Sequence, residues 1–287
     1  MEFKKEELIK SPINYAGGKY RLLRKGLLEY FPDNINTFVD LFCGAGNVGI
    51  NVKANNIVFN DYINYIIDLF KYWNNTSLDE INKYINDTIN IFNLSSTNKE
   101  SFLKFRDNYN KTKDIRDLFI LICYSFNYQM RFNNKQEYNS SFGKEASTMN
   151  NNIRNNLNGF INKLHNNNVY FFNKDFREIN LNKLNGNDFV YLDPPYSVSR
   201  AVYQDGKRGF KGWNKKDDID LFNLCDELNN RNIKFAMSNL LSSKSNNNEE
   251  LIKWSNKYNI IHLDMQYKNY NTRKSVGNDD EVLITNY

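Results

Sequence analysis

The apolar run from Ile35 to Phe42 stops abruptly in Cys43-Gly44-Ala45-Gly46, and a second apolar run, Ile57-Val58-Phe59, follows shortly after. A strand entering a glycine-rich turn, then Val48, Ile50 and Val52 leading into a helix, then another strand, reads as a βαβ unit. Val169–Phe172, Phe189–Leu192, Ile233–Met237, Ile260–Leu263 and Glu281–Thr285 read as further strands. Residues Asp217–Asn230 have helical periodicity through Ile219, Leu221, Phe222, Leu224, Cys225 and Leu228. Strands alternating with helices predict an α/β fold built on a mostly parallel, mixed sheet. The interval from 65 to 168 differs: its apolar positions, in Ile81–Phe92 and Ile115–Phe126, are helical, and strand pairs are missing until its end. The chain is therefore expected to comprise a core, residues 1–64 and 169–287, interrupted by an inserted, mainly helical domain over 65–168.

Composition narrows the function classes. The three cysteines, Cys43, Cys123 and Cys225, lie far apart and suggest neither a disulfide framework nor a cysteine-rich zinc site. No segment approaches the roughly 20 apolar residues that cross a bilayer, and the opening MEFKKEELIK is charged, unlike a secretory signal. A soluble, cytoplasmic protein with no membrane partner and no metal is expected. The net charge of +5 is unevenly spread: Ser101–Phe160 holds nine Lys/Arg against five Asp/Glu, and Tyr196–Lys216 holds six against one. Positive charge concentrated in two segments suits a polyanion, although two solvated basic loops would look the same. The many asparagines, in runs such as Asn150–Asn152, read as a compositional bias without assigned function.

Asp193-Pro194-Pro195-Tyr196 follows the strand at Phe189 and holds two of the chain's four prolines. It falls at the carboxyl end of the sheet, where open α/β folds place ligands. A carboxylate from Asp193 and the carbonyl of Pro194, stiffened by two fixed φ angles, can together accept hydrogen bonds from an exocyclic amino group. That localises a lone pair otherwise delocalised into a ring, as on adenine N6. Tyr196 adds a flat face on which an extruded base can stack. In Phe42-Cys43-Gly44-Ala45-Gly46 the glycines let backbone approach a ligand closely, and Asp61, after the next strand, is placed to accept from ribose hydroxyls. Gly49 is at the wrong offset for a GxGxxG fingerprint, so a nucleoside cofactor without pyrophosphate fits better than a dinucleotide. Tyr15-Ala16-Gly17-Gly18-Lys19 is no phosphate-binding P-loop, and by itself reads as an ordinary loop.

The order YAGGK, FCGAG, inserted segment, DPPY resembles the Dam-type N6-adenine DNA methyltransferases of the alpha motif order. The likeness extends over SFNYQMRFN (Ser125–Asn133), EYNSSFG (Glu137–Gly143), SNL (Ser238–Leu240) and the closing EVLITNY. The resemblance implies a Rossmann-like methyltransferase core, an inserted target-recognition domain and S-adenosyl-L-methionine as cofactor. It implies that Tyr15, Ala16, Gly17, Gly18 and Lys19 border the cofactor's methionine end and that Phe42, Cys43, Gly44, Ala45 and Gly46 wrap it. Asp61 would hold the ribose, Asp175 and Phe176 would flank the cofactor's adenine, and Asp193, Pro194, Pro195 and Tyr196 would form the catalytic pocket, with Asp193 also reaching the cofactor. Tyr15 and Cys43 depart from Dam, which carries Trp and Val there. Cys43, small and in a turn, reads as unreactive.

Arg131 is set among aromatics and amides: Phe126, Asn127, Tyr128, Gln129, Phe132 and Asn133. Arg commonly reads guanine, and Asn or Gln adenine; aromatic side chains can wedge into the gap left by a departing base, although Phe126 and Phe132 could equally be core. The resemblance places this segment in the target-recognition domain and matches Arg131 to the arginine reading the first guanine of GATC. In the basic Tyr196–Lys216 segment, Lys207, Arg208 and Lys211 are expected to meet phosphates of double-stranded DNA. A cognate restriction endonuclease is a possible partner. Methylation of RNA or of a protein amide, and a binding module without catalysis, are the rival readings; oligomeric state and the exact target are open.

Overall fold

The computed structural model describes residues 8–15, 17–198, 212–243, 246–263 and 279–287. Strands β1 (Ile35–Asp40), β2 (Ala54–Asn60), β3 (Val169–Phe172), β4 (Phe189–Leu192), β5 (Lys234–Ser243), β7 (Asn259–His262) and β8 (Asp280–Thr285) form one sheet, with the two-residue β6 (Asn246–Asn247) paired to β5. The order is β3-β2-β1-β4-β5-β8-β7. β3 through β5 run parallel, while β8 is antiparallel to both β5 and β7. The expected mixed, mostly parallel α/β sheet is what the chain forms.

The helices are α1 (Tyr20–Leu23), α2 (Asn64–Asn75), α3 (Leu78–Ile91), α4 (Lys99–Thr112), α5 (Ile115–Tyr124), α6 (Asn151–His165), α7 (Lys215–Asn230) and α8 (Glu249–Ser255). Side chains alternate across a strand, so each strand feeds two cores. One face, with Phe38, Tyr191, Ala236 and Leu283, packs against the N-terminal segment and α2–α6; the other, with Val39, Val190, Met237 and Ile284, packs against α7 and α8. All four residues of β4 are buried, as a strand covered on both faces requires. The α2–α6 layer has no separate core: Phe70 on α2 contacts Phe59 of β2 at 5.8 Å and Phe160 of α6 at 5.1 Å. Among the described residues no helix is long and apolar enough to cross a membrane.

The asparagine bias has local work after all. Asn98, Asn150, Asn214 and Asn248 are N-caps whose side chains accept backbone N–H bonds at the starts of α4, α6, α7 and α8, each satisfying a donor the helix cannot and contributing about 1 kcal/mol. Asn47 and Asn51 fasten the N-terminal segment: Ser11 N–H donates to Asn47 Oδ1 at 2.9 Å, Ile9 N–H to Asn51 Oδ1 at 2.8 Å, and Asn51 Nδ2 to the Ile9 carbonyl at 2.8 Å.

The helix expected after the glycine turn is a single 3-10 turn, Gly49–Asn51. β2 begins at Ala54, which leaves no length for more, and Gly49 is wedged where a Cβ would sit 2.4 Å from the Phe59 ring and 3.1 Å from Asp40 Oδ2. Because Phe59 is fully buried, the neighbour has nowhere to go. Gly49→Ala is expected to cost about 1–3 kcal/mol by overpacking, seen as a lower urea midpoint with an unchanged m-value.

Candidate active site

The carboxyl ends of β1, β2 and β4 converge with the start of β8. Asp40 ends β1, Asp61 follows β2, Asp193 follows β4, and Glu281 enters from β8 running the other way. By strand alternation Asp40, Tyr191, Asp193, Ser238 and Glu281 share the face that carries Phe38 and Leu283. Tyr191 and Ser238 are joined there by a 2.7 Å hydroxyl–hydroxyl bond.

Lys19 is the centre of this cluster. Its side chain is 5% exposed, and Nζ lies 2.7 Å from Asp193 Oδ1, 3.7 Å from Glu281 Oε1 and 3.1 Å from the Gly17 carbonyl. The Tyr196 hydroxyl is 3.1 Å from both Asp193 Oδ1 and Glu281 Oε1, and Lys19 Nζ stands 5.1 Å from its ring centroid. Burial pushes the Asp193 carboxyl up, Lys19 pulls it back, and Glu281 adds a further upward push. Both partners of Asp193 fall on Oδ1; among the described residues Oδ2 has none. Pro194 is buried behind it.

The glycine turn stands beside this cluster. Gly44 N–H donates to Asp61 Oδ2 at 2.8 Å and Ile63 N–H to Asp61 Oδ1 at 2.9 Å, so the turn and the acid after β2 hold one another. Gly46 takes φ +73°, and a Cβ there would meet Phe70 at 3.0 Å and Phe160 at 3.1 Å, so glycine is required twice over. The Tyr15 ring is 3.2 Å from where a Gly44 Cβ would stand, which brings the YAGGK segment onto the turn; Ala16 lies outside the described residues. Cys43 is buried and burial pushes its thiol well up, in keeping with an unreactive side chain. Phe42 packs on Phe176 (5.5 Å between centroids) and Trp213 (5.8 Å), so Phe176 is close to the turn but nearly buried. Asp175 is turned to Arg177 at 3.1 Å, which also binds Asp217 and Asp220.

The 126–133 segment divides. Phe126 is 53% exposed, whereas Phe132 is buried and stacks on Tyr65 at 3.9 Å. The division coincides with left-handed backbone at Asn127 (φ 53°) and Tyr128 (φ 55°). Asn14, next to Tyr15, donates through Nδ2 to the Asn127 carbonyl at 3.0 Å and bridges to Gln129, tying this segment to the active-site rim. Arg131 is half-buried, and Asn133 Oδ1 accepts from the N–H groups of Lys135 and Glu137 in a tight turn. Lys207, Arg208 and Lys211 lie outside the described residues.

Three polar residues of the site escaped the sequence reading. Asp40 is an isolated acid in an apolar run, which was the available signal, whereas Glu281 is the last of three consecutive acids, Asp279 to Glu281, and reads locally as part of a solvated charge run. Asn60, hidden in the asparagine bias, donates to the carbonyls of Leu41 (3.0 Å) and Lys174 (3.1 Å) and so ties the loop after β3 to β1. Asp40 carries a testable consequence. Burial, reinforced by Asp193 and Asp61 and opposed by the Gly49 N–H and Lys19, pushes its carboxyl from 3.8 up to about 8. Between those values the folded state holds a proton the unfolded state has lost, so stability falls as pH rises. Asp40→Asn keeps an acceptor for Gly49 N–H and removes this titration; urea melts at pH 5, 6, 7 and 8 should give a flatter profile than wild type and a relative gain at pH 8.

A family model described as D12 class N6 adenine-specific DNA methyltransferase matches residues 15–269. The Type II methyltransferase M.FokI of Planomicrobium okeanokoites is 48% identical over 284 residues, covering 99% of this chain and 44% of its own length. Modification methylase StsI of Streptococcus sanguinis is 43% identical, covering 98% of this chain and 43% of its own length. The DNA adenine methylase of Escherichia coli (strain K12) is 23% identical over 79% of both chains. The chain thus spans less than half the length of the first two of these relatives. The matched region runs from the tyrosine on the glycine turn through the DPPY turn to the strands beyond, and on it the chain belongs to the D12 class N6 adenine-specific DNA methyltransferases.

Proposed function

We propose that the chain transfers a methyl group from S-adenosyl-L-methionine to N6 of an adenine extruded from double-stranded DNA, within GATC or a related short site. The observation that carries this reading is Asp193, a carboxylate pinned through one oxygen by Lys19 and Tyr196 while its other oxygen has no partner among the described residues. Asp193 Oδ2 accepts one N6–H and the Pro194 carbonyl accepts the other, which concentrates the lone pair on nitrogen and aims it. Pro195 stiffens the turn, and the Tyr196 ring supports the base. Bound S-adenosylmethionine supplies the activated methyl group. Transfer is direct, with no covalent enzyme intermediate, and rests on proximity and aligned hydrogen bonds. The surplus proton on N6 passes to Asp193, whose carboxyl burial already disposes to accept one.

The chemistry of the donor set fits the cofactor. Tyr15, Gly17, Gly18 and Lys19 border its methionine end, and residues 42–46 wrap it. Asp61, held at the rim of the turn by two backbone N–H groups, faces the ribose. Asp175 and Phe176 border the adenine, Phe176 through its packing on Phe42.

Residues 65–168 act as the target-recognition region, with Arg131 reading guanine and Phe126 entering the gap left by the flipped base. Asn127, Tyr128, Gln129 and Asn133 line the approach, and Lys207, Arg208 and Lys211 meet phosphates. The chain acts in the cytoplasm beside a cognate restriction endonuclease; the relatives' names, a Type II methyltransferase and a modification methylase, support the modification role.

The test is transfer of radiolabelled methyl from S-adenosylmethionine to plasmid DNA, with product mapped by single-molecule sequencing. N6-methyladenine at one short motif, lost in Asp193→Ala, is the expected outcome; label in RNA or protein but not in DNA would remove the substrate assignment. Arg131→Ala should weaken discrimination at a single guanine by about 1–3 kcal/mol, read as methylation spreading to sites altered at that one position.

A further inference from the structure

The closing strand carries a buried acid to which the proposed reaction gives no role. Glu281 is 1% exposed, and the antiparallel register of β8 with β5 sets it opposite Leu240, at the end of the sheet where Asp193 leaves β4. Asp193 and Glu281 share the same two donors: Lys19 Nζ at 2.7 and 3.7 Å, and Tyr196 Oη at 3.1 Å from each. A phenol has one proton to donate, so Tyr196 serves one carboxylate at a time. Lys19 also binds the Gly17 carbonyl, and its charge is divided between the two acids. To the extent that Glu281 holds the Tyr196 hydroxyl and the Lys19 ammonium, it withholds them from Asp193.

Resting on the reaction proposed above, we infer that Glu281 is a positioning residue for Asp193: it draws the Tyr196 hydroxyl and part of the Lys19 charge to itself and so keeps Asp193 a strong acceptor for the amino group of the base. A carboxylate satisfied by both donors is a weaker acceptor, because its charge is already spent in two strong bonds. Glu281 acts against this in two ways. It competes for the donors, and as a like charge it raises the proton affinity of Asp193.

Among the described residues, titratable and charged groups face Glu281 from several elements. Tyr191, Asp193 and Tyr196 face it from β4 and the turn that follows, Lys19 from the N-terminal segment, and Asp40 of β1 lies beyond Asp193. Its strand neighbour Asp280 is paired with His262 of β7 at 2.8 Å, and that histidine is exposed. A change at Glu281 alters the shared donors and the like charge that Asp193 meets.

Glu281→Gln is nearly isosteric and removes the charge. In methyl transfer to plasmid DNA by the 287-residue chain, kcat should fall about tenfold or more while KM for S-adenosylmethionine and for DNA stays within about twofold. The acid limb of kcat/KM should move to lower pH by about half a unit or more, the direction a lost neighbouring negative charge dictates. A merely structural role would lower activity without moving the acid limb, and that result, or a variant indistinguishable from wild type, overturns the inference. Urea denaturation checks that the variant folds. If it does not, Glu281→Asp keeps the charge but withdraws it from Tyr196; kcat should then fall while the acid limb moves to lower pH by less than in Glu281→Gln, since Asp193 gains the Tyr196 bond but keeps the neighbouring charge, and wild-type kcat in that variant overturns the inference equally. Wild-type protein that leaves DNA unlabelled removes the proposed reaction, and this inference with it; active wild type with an unaffected Glu281→Gln removes this inference alone.

Discussion

One ammonium group, that of Lys19, lies between the carboxylates of Asp193 and Glu281 in a place nearly closed to water. Taking such charges from water costs several kcal/mol each, and only close geometry with additional hydrogen bonds offsets it. The rest of the site follows from this requirement. The segment before β1 has to reach the carboxyl end of the sheet, and it is fastened there by Asn47 and Asn51 and by Tyr15 against Gly44. β8 has to run antiparallel to β5 so that Glu281, near its start, arrives at the same end. Residues from the first and last parts of the sequence thus complete a turn that the middle part provides.

The same rim orders the proposed DNA-facing segment. Two successive non-glycine residues in the left-handed region, Asn127 and Tyr128, are an uncommon backbone state. It persists because the surroundings hold it: Asn14 binds the Asn127 carbonyl, and the Gln129 carbonyl accepts from Tyr138 Oη and Ser140 Oγ. The reversal at these positions carries Phe126 outward while Phe132, six residues on, stays packed on Tyr65. Anchoring this segment through Asn14 makes its geometry depend on the active-site rim, not only on the helices that precede it.

Much of the framework was legible from local pattern. The strands at Ile35, Val169, Phe189, Ile260 and Glu281 and the helix at Asp217 appear within a few residues of where periodicity puts them, because burial on both sheet faces imposes apolar runs bounded by turns. The misjudged element was the helix after the glycine turn, where a single 3-10 turn, Gly49–Asn51, is flanked by Val48 and Val52. Their apolar character comes from packing under the turn, and periodicity does not separate that from a helix. The capping and tethering asparagines were illegible for a different reason. In a chain so rich in Asn, Asn98 or Asn51 looks no different from its solvated neighbours until the backbone around it is in place.

From the sequence alone came the alternation of strands and helices, the glycine turn, the DPPY turn and, through their order, the family, because each depends on residues close together in the chain. Only the tertiary structure decided that Lys19 meets Asp193, that Glu281 joins them, and that Phe126 and Phe132 part company. Those outcomes depend on side chains brought together from distant strands, and on which of two acids a single buried donor can reach. Local sequence does not encode such distances; the register and direction of the strands do.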